Sequence, residues 1–241
     1  MESGSHNLKR MTLELGGNDA AIVLPDVDIE DTAQKLFWGA FSNSGQFCVA
    51  IKRLFIHESI YDALSQAIVS YARTVKVGNG LEKDSQLGPI QNAAQFERLK
   101  ILLADIYDSG QTVLLGGTVP DAKGYFFPIT IVDNPPENSR LVVEEQFGPI
   151  LPLLMYKTID EAVERANAST HGLGGSVWGR DIRQAEAVAS KLQAGKVWVN
   201  EIHVLTPHTP FGGHKQSGLG VENGSDGLHE YTNAQTISIR R

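Results

Sequence analysis

The 241-residue sequence predicts an α/β fold with an open, mostly parallel sheet and flanking helices. Short apolar runs alternate with longer amphipathic segments, and Gly and Pro residues separate the two kinds of segment. Such alternation is typical of βαβ units, whose strands are parallel. Near the C-terminus, residues 236–239 (TISI) alternate with period 2 after a Gly-rich loop. We therefore expect one domain over residues 1–231 and an oligomerisation strand over residues 232–241.

The first strand and helix are predicted from residues 21–41. The apolar run at residues 21–24 is a buried strand that ends at Pro25. Asp28 then caps a helix that has Asp31 in its first turn. Apolar residues recur at a spacing of 3.6 and form the buried stripe of this helix: Ala33, Leu36, Phe37, Ala40 and Phe41. The helix is expected to end near residues 43–45 (NSG).

The same alternation continues along the chain to residue 199. Strands are predicted at residues 54–56, 113–115, 151–155, 176–178 and 197–199, and helices at residues 61–75, 93–106, 159–168 and 185–192. No internal repeat or low-complexity segment interrupts this pattern, so a single α/β unit accounts for it.

Composition narrows the possible partners. The chain has 21 Lys+Arg and 28 Asp+Glu, a net charge of −7, which argues against a nucleic-acid or anionic-membrane surface. No apolar run approaches the ~20 residues of a membrane span, and the first residues lack a secretion signal. We therefore expect a cytoplasmic protein. A single cysteine, Cys48, excludes an internal disulfide, and His203, His208 and His214 lack the carboxylates of a metal set, so no metal site is predicted.

Three segments carry residues suited to chemistry. Cys48 follows Gly45 in the run GQFC, where a tight turn can expose the thiol, although a lone cysteine is also compatible with a buried, inert side chain. Glu14 lies in an apolar run before two glycines, where desolvation would raise its pKa and suit it as a general base, unless it faces solvent on an edge strand. Glu145 precedes Phe147 and a Gly-Pro turn, which alone would pass for a solvated turn.

Common nucleotide-binding motifs are absent. No G-x-G-x-x-G follows a strand, since the run that begins at Gly218 and Gly220 has Asn223 at the third glycine position. The sequence also contains no P-loop motif.

Taken together, the motifs resemble those of the aldehyde dehydrogenase superfamily, in the same order and across essentially the whole chain after about residue 7. Glu14 and Cys48 are 34 residues apart (48 − 14), which also resembles the family. The matching segments are ELGG at 14–17, GQFC at 45–48, E-x-FGP at 145–149, GYF at 124–126, AGKVWVN at 194–200, PFGG at 210–213, K-x-SG at 215–218 and YT at 231–232.

The resemblance implies a thiol mechanism. Cys48 would attack an aldehyde to give a thiohemiacetal, a hydride would pass to NAD or NADP, and water activated by Glu14 would hydrolyse the thioester. The backbone N–H of Cys48 would supply one oxyanion donor. Glu145 and Phe147 match the family's positions beside the nicotinamide ribose. On the substrate side we expect Phe47, Asn200 and His203, with the aromatic residues of the helix before Cys48 as core.

The sequence also departs from the family. Family members carry a dinucleotide-binding domain of similar size ahead of the Glu14 motif, and with it a Gly-rich cofactor loop, a ribose-binding lysine and an oxyanion-hole asparagine. The chain therefore resembles a truncated catalytic half, which would use NAD or NADP by resemblance or no cofactor at all.

Three functions remain open at this point: an aldehyde dehydrogenase, a non-redox enzyme that uses Cys48 and Glu14 on an aldehyde for condensation, cyclisation or hydrolysis, and a non-catalytic oligomerising module. The expected partners are a small-molecule aldehyde and a second copy of the chain, in a homo-oligomer of two or more subunits.

Overall fold

The computed structural model describes all residues, 1–241, as an α/β structure. The strands are β1 (Leu13–Glu14), β2 (Asp19–Val23), β3 (Ile51–His57), β4 (Thr112–Leu115), β5 (Thr130–Asp133), β6 (Ile150–Tyr156), β7 (His171–Gly172), β8 (Gly174–Trp178), β9 (Lys196–Val199), β10 (His214–Lys215) and β11 (Gly218–Leu219). The helices are α1 (Glu2–Ser5), α2 (Ile29–Phe41), α3 (Tyr61–Ala72), α4 (Ala93–Asp108), α5 (Arg140–Val143), α6 (Ile159–Asn167), α7 (Ile182–Ala189) and α8 (Gly224–His229).

Seven strands form the central sheet in the order β4-β5-β6-β3-β2-β8-β9. Every neighbouring pair is parallel except β4 and β5 at one edge, which are antiparallel. This arrangement confirms the predicted open, mostly parallel sheet. Two small antiparallel pairs, β1 with β11 and β10 with β7, lie outside it.

Helices cover the sheet on two faces. Along β2, Ala21 and Val23 pack with α2 and α3, whereas Ala20 and Ile22 pack with α6 and α7 on the opposite face. Alternate residues of a strand point to opposite faces, so a strand buried on both faces reads as a continuous apolar run. A third cluster packs α4 against β5 and the start of β6. The result is a three-layer α/β/α structure.

The N-cap of α2 was predictable from one side chain. Asp28 accepts a hydrogen bond from the backbone N–H of Asp31 at 3.1 Å, as its position before the helix predicts. The buried stripe is confirmed, since Phe37 and Phe41 are fully buried and Ala33 is nearly so. The predicted helix at residues 185–192 instead begins at Ile182, because Asp181 caps it by accepting N–H bonds from the next turn.

Some elements carry no local signal in the sequence. β5 was not predicted, because Pro128 lies just before it and the apolar stretch there is short. The two-residue strands β1, β7, β10 and β11 are defined only by partners far away in the chain. Residues 232–241 have no regular secondary structure, and Ile237 and Ile239 are 78% and 81% exposed. The oligomerisation strand therefore stays a prediction.

None of the helices is both long enough and apolar enough to pass through a membrane.

Candidate active site

The three motifs meet at one edge of the sheet. Gly16 and Gly17 lead into β2, Cys48 lies just before β3, and Glu145 precedes β6. Because β6, β3 and β2 are adjacent and parallel, their amino ends lie side by side. The site is therefore assembled at the amino ends of the strands, whereas ligands of open parallel sheets usually bind at the carboxyl ends.

A strained turn carries the thiol into this edge. After α2 ends, Asn43, Ser44 and Gly45 have φ values of 52°, 56° and 71°, in the left-handed region. Asn43 donates from its side chain to the carbonyl of Gln46 at 3.0 Å, and Ser44 donates to the carbonyl of Gly88 at 2.8 Å. A Cβ at Gly45 would collide with the carbonyl of Gly148, so the turn and the segment before β6 touch through backbone alone.

Cys48 is a half-buried free thiol at the margin of an apolar cluster. Burial raises its pKa, and the negative charge of Glu14 raises it further, whereas hydrogen bonds from the backbone N–H groups of Val49 and of Cys48 itself lower it. The segment that follows Glu14 lies against Cys48, because a Cβ at Gly17 would collide with the carbonyl of Cys48. The structure does not bury Cys48 completely, and its reactivity stays a prediction.

Glu14 is held on β1, which pairs with β11 so that Glu14 stands opposite Gly218. The side chain is half-buried, and its Oε1 atom is enclosed without a hydrogen-bond partner. Burial raises its pKa, as predicted, and the charge of Glu222 raises it further. A carboxylate with an unpartnered buried oxygen and a raised pKa is a stronger base than an ordinary glutamate.

Glu145 packs directly onto the two glycines that follow Glu14. Its Oε1 accepts the backbone N–H of Gly17 at 3.1 Å, and a Cβ at Gly16 would collide with the carboxylate. Helix α4 fixes this segment from outside, because Arg98 donates to the carbonyl of Glu145 at 2.8 Å.

Phe147 has a φ of 48° and a half-exposed ring, and Gln95 of α4 donates to its carbonyl at 2.9 Å. Oε2 of Glu145 accepts no hydrogen bond from the protein, so it is free for an outside donor. A half-buried carboxylate with one free oxygen beside a half-exposed aromatic ring fits the hydroxyl groups and apolar edge of a nucleotide ribose.

The predicted substrate-side residues lie around the thiol loop. The rings of Phe47 and His203 meet edge to face with centroids 4.6 Å apart, and Nε2 of His203 lies 3.2 Å from the carbonyl oxygen of Val49. His203 thus contacts the residues on each side of Cys48. Asn200 lies nearby, but its amide exchanges hydrogen bonds with the backbone of Gly179 at 2.7 and 2.9 Å. Asn200 therefore orders its own loop.

A cavity of about 500 Å³ lies between α2 and this loop. Trp38, Tyr71 and His203 line it, and Nε1 of Trp38 donates to the hydroxyl of Tyr71 at 2.9 Å. Of the two helix aromatics interpreted as core, Phe37 is fully buried, whereas Trp38 faces the cavity.

Sequence reasoning missed two buried charges at the same edge. Asp19, the first residue of β2, accepts the N–H of Gly174 at 3.1 Å, and burial raises its pKa to about 7. Lys52 on β3 is 1% exposed, and burial lowers its pKa to about 8. The signal was present for Lys52, because Lys52 and Arg53 interrupt an otherwise apolar strand, where charged side chains are rarely buried unless paired.

No group of three or more His, Cys, Asp or Glu side chains could hold a metal ion. His203, His208 and His214 do not converge, since His203 contacts the Cys48 loop and His214 is on β10.

Comparisons with known proteins bear on this site. The aldehyde dehydrogenase family model matches residues 1–237. The chain is 40% identical over 239 residues to the putative aldehyde dehydrogenase DhaS of Bacillus subtilis, covering 99% of this chain and 48% of that protein. It is 38% identical over 238 residues to aldehyde dehydrogenase 1A1 of Macaca fascicularis, covering 99% of this chain and 48% of that protein.

Solved structures agree with this assignment. The NAD+ complex of an aldehyde dehydrogenase from Bacillus cereus is 39% identical with a TM-score of 0.93, over 97% of this chain and 48% of that one. Betaine aldehyde dehydrogenase from Staphylococcus aureus, in complex with NAD+, is 35% identical with a TM-score of 0.91, over 96% of this chain and 46% of that one. The chain spans about half the length of the relatives it matches. With its sheet, its motifs and these relatives in agreement, the chain belongs to the aldehyde dehydrogenase family.

Proposed function

We propose that this chain carries the catalytic centre of an NAD- or NADP-dependent aldehyde dehydrogenase, which oxidises an aldehyde to the corresponding acid. The observation that carries the proposal is the meeting of the segments that hold Cys48 and Glu145 at the amino ends of the adjacent strands β3 and β6, with Glu14 on β1 just ahead of β2. A nucleophile, a base and a free carboxylate oxygen are the groups that this reaction requires.

Cys48 is the nucleophile. Its sulfur attacks the carbonyl carbon of the aldehyde, a C–S bond forms, and the carbonyl oxygen takes a proton to give a thiohemiacetal. Hydrogen bonds from the backbone N–H groups of Val49 and Cys48 act against the rise of the thiol pKa, so they favour its thiolate. The N–H of Cys48 would also donate to the developing oxyanion.

Glu145 and Phe147 would hold the nicotinamide ribose, the first through its free Oε2 and the second through its half-exposed ring. A bound nicotinamide would supply the two-electron oxidant: the adduct on Cys48 would become a thioester by losing a hydride from its carbon to the cofactor and the proton of its hydroxyl group to water. Two solved relatives are named as NAD+ complexes.

Glu14 then completes the cycle as a general base. Its raised pKa and unpartnered Oε1 allow it to take a proton from a water molecule. The hydroxide so formed attacks the thioester carbon, the C–S bond breaks, and the acid and the Cys48 thiol are released.

The cavity beside the thiol loop is the proposed aldehyde site. His203, Trp38, Tyr71 and Asn200 line it. His203 also packs against the ring of Phe47, the residue before Cys48, and so joins the cavity to the thiol loop. The lining combines aromatic rings with polar and charged side chains, which suits an aldehyde that carries both apolar and polar groups.

The function is tested by incubating the chain with a panel of aldehydes and NAD or NADP, while reduced nicotinamide is followed by absorbance and the protein by intact mass. We expect cofactor reduction that Cys48→Ser abolishes. Glu14→Gln should accumulate an acyl adduct on Cys48, because it slows hydrolysis. Glu58→Gln is the matched control, since Glu58 is exposed and follows β3 at the opposite end of the sheet.

Aldehyde consumption that depends on Cys48 without cofactor reduction would contradict the dehydrogenase and support the non-redox enzyme. If no aldehyde reacts with Cys48 in any sample, the result supports the third hypothesis, a non-catalytic oligomerising module.

A further inference from the structure

Lys52 is a buried lysine that the proposed reaction does not use. It lies where the pairing of β2 with β3 is irregular: Asp19 stands opposite Ile51 and Ala20 opposite Arg53, so Lys52 has no partner on β2. A bulge of this kind re-aims a side chain and is common beside active sites. Burying an ammonium group is costly unless other groups compensate for the lost water.

The contacts of Lys52 join two parts of the site. Its Nζ donates to the carbonyl of Gly45 at 2.5 Å, in the turn before Cys48. The same ammonium lies 5.4 Å from the ring centroid of Phe147, a cation–π contact. Gln146, the residue before Phe147, donates from its side chain to the backbone carbonyl of Lys52 at 3.4 Å.

Arg53, the next residue, points away from the site. Its guanidinium donates to the carbonyls of Asn18, Arg165 and Ala166, behind the sheet edge. Two adjacent buried cations therefore have different surroundings, and only Lys52 contacts the nucleophile turn.

Several charges surround the ammonium. Glu145, Asp19 and Cys48 each favour its charged form, in that order. The negative charges of Glu14 and Asp19 act on the thiol itself and raise its pKa. His203 lies on the loop after β9, and its pKa is lowered by burial and also by the positive charge of Lys52. Lys52 is thus a buried cation within electrostatic reach of the nucleophile, among several acidic groups.

We propose that Lys52 is a positioning residue of the proposed dehydrogenase centre: its ammonium fixes the Gly45 carbonyl and the Phe147 ring relative to each other and sets a positive charge against the turn that carries Cys48. The positioning role rests on the proposed function, whereas the effect of the charge on the thiol does not depend on a cofactor.

The test follows alkylation of Cys48 by iodoacetamide as a function of pH. The chain has one cysteine, so the reaction reports on that thiol alone. We expect Lys52→Met to react about tenfold more slowly than wild type at pH 7, which corresponds to a thiol pKa about one unit higher. The difference should disappear as pH rises above 8, because Lys52 itself loses its proton at a pKa of about 8.

Arg53→Met is the matched control, because it removes a buried cation that does not contact the turn. It should lose stability without the pH-dependent loss of thiol reactivity. Lys52→Gln keeps a donor near Gly45 but not the charge, so it serves if Lys52→Met does not fold.

The proposal is overturned if the Lys52 variants alkylate at the wild-type rate, if they are slower by the same factor at every pH, or if Arg53→Met gives the same profile. None of these outcomes depends on aldehyde oxidation, so a failed dehydrogenase assay is distinguishable from a failure of this proposal.

Discussion

Asp19, the first residue of β2, shows how strongly its surroundings at the candidate site change the pKa of one side chain. The carboxyl group is buried, one of its oxygens accepts the N–H of Gly174, and the other has no hydrogen-bond partner. Burial raises its pKa to about 7, although the positive charges of Lys52 and Arg53 act against this rise. The folded state therefore holds a proton on Asp19 that the unfolded chain releases at an ordinary acidic pKa.

We expect the Asp19→Asn variant to have a higher free energy of unfolding than wild type, by an amount that grows between pH 4 and pH 7. A group with a raised folded-state pKa contributes stability below its unfolded pKa and loses it as pH rises through the folded value, which here is about 7. The gain at pH 8 should reach at most about 4 kcal/mol, the equivalent of three pKa units. Urea unfolding at pH 5 and pH 8 measures it.

Asp62→Asn, at an exposed position on α3, corrects for the general effect of replacing Asp by Asn. The same pH dependence in wild type and Asp19→Asn would contradict the prediction.

At this scale the sequence identifies candidate residues but not their surroundings. Cys48 and Glu14 could be singled out from neighbouring glycines and apolar residues, and the raised pKa of Glu14 followed from those neighbours. Asp19 and Lys52 could not be placed, because their importance comes from a bulge between two strands and from charges on distant segments.

Among the elements, the turn between α2 and β3 is the most constrained. Gly45 combines a φ of 71° with backbone contact to Gly148. Gly110, after α4, has the same φ of 71° but open space around its Cβ position. An alanine at Gly110 would meet only the cost of a left-handed backbone, whereas an alanine at Gly45 would also collide with Gly148. Comparing the two variants therefore separates the two costs in free energy of unfolding.

We expect Gly110→Ala to lower the free energy of unfolding by about 1–2 kcal/mol, the cost of a left-handed non-glycine residue. Gly45→Ala should cost clearly more, because the added methyl group must also push Gly148 away. It should also slow alkylation of Cys48 at pH 7, since the thiol loop moves. Chemical unfolding and iodoacetamide kinetics measure the two effects, and equal losses in both variants would contradict the collision.

Elements with their own periodicity and caps were predictable, as α2 shows through Asp28 and its buried stripe. β1 and β11 were not, because two residues carry no period and exist only through pairing across some 200 residues of sequence, from Glu14 to Gly218. Yet this pair holds Glu14, the proposed general base.

For the whole molecule, the exposed tail is the clearest sign of association. Ile237 and Ile239 are largely exposed, and their period-2 pattern suits an edge strand. We expect the chain to form a dimer or larger oligomer, and the double change Ile237→Ser and Ile239→Ser to lower its average mass. Light scattering at micromolar concentration measures this.

The matched control for the tail is Leu81→Ser, which removes a 92% exposed apolar residue from a loop elsewhere. A wild-type chain that is already monomeric would contradict the prediction.

The strand order has a consequence for folding. Cys48 and Glu145 lie just before the adjacent strands β3 and β6, and Glu14 lies ahead of the next strand, β2. Yet the three residues are separated by 34 and 97 residues of chain (48 − 14 and 145 − 48). Pairing so distant in sequence requires closure of long loops, which makes it slow relative to local helix formation. The chain therefore acquires its reactive centre only when β2, β3 and β6 have met, and a partly folded chain leaving the ribosome does not yet carry it.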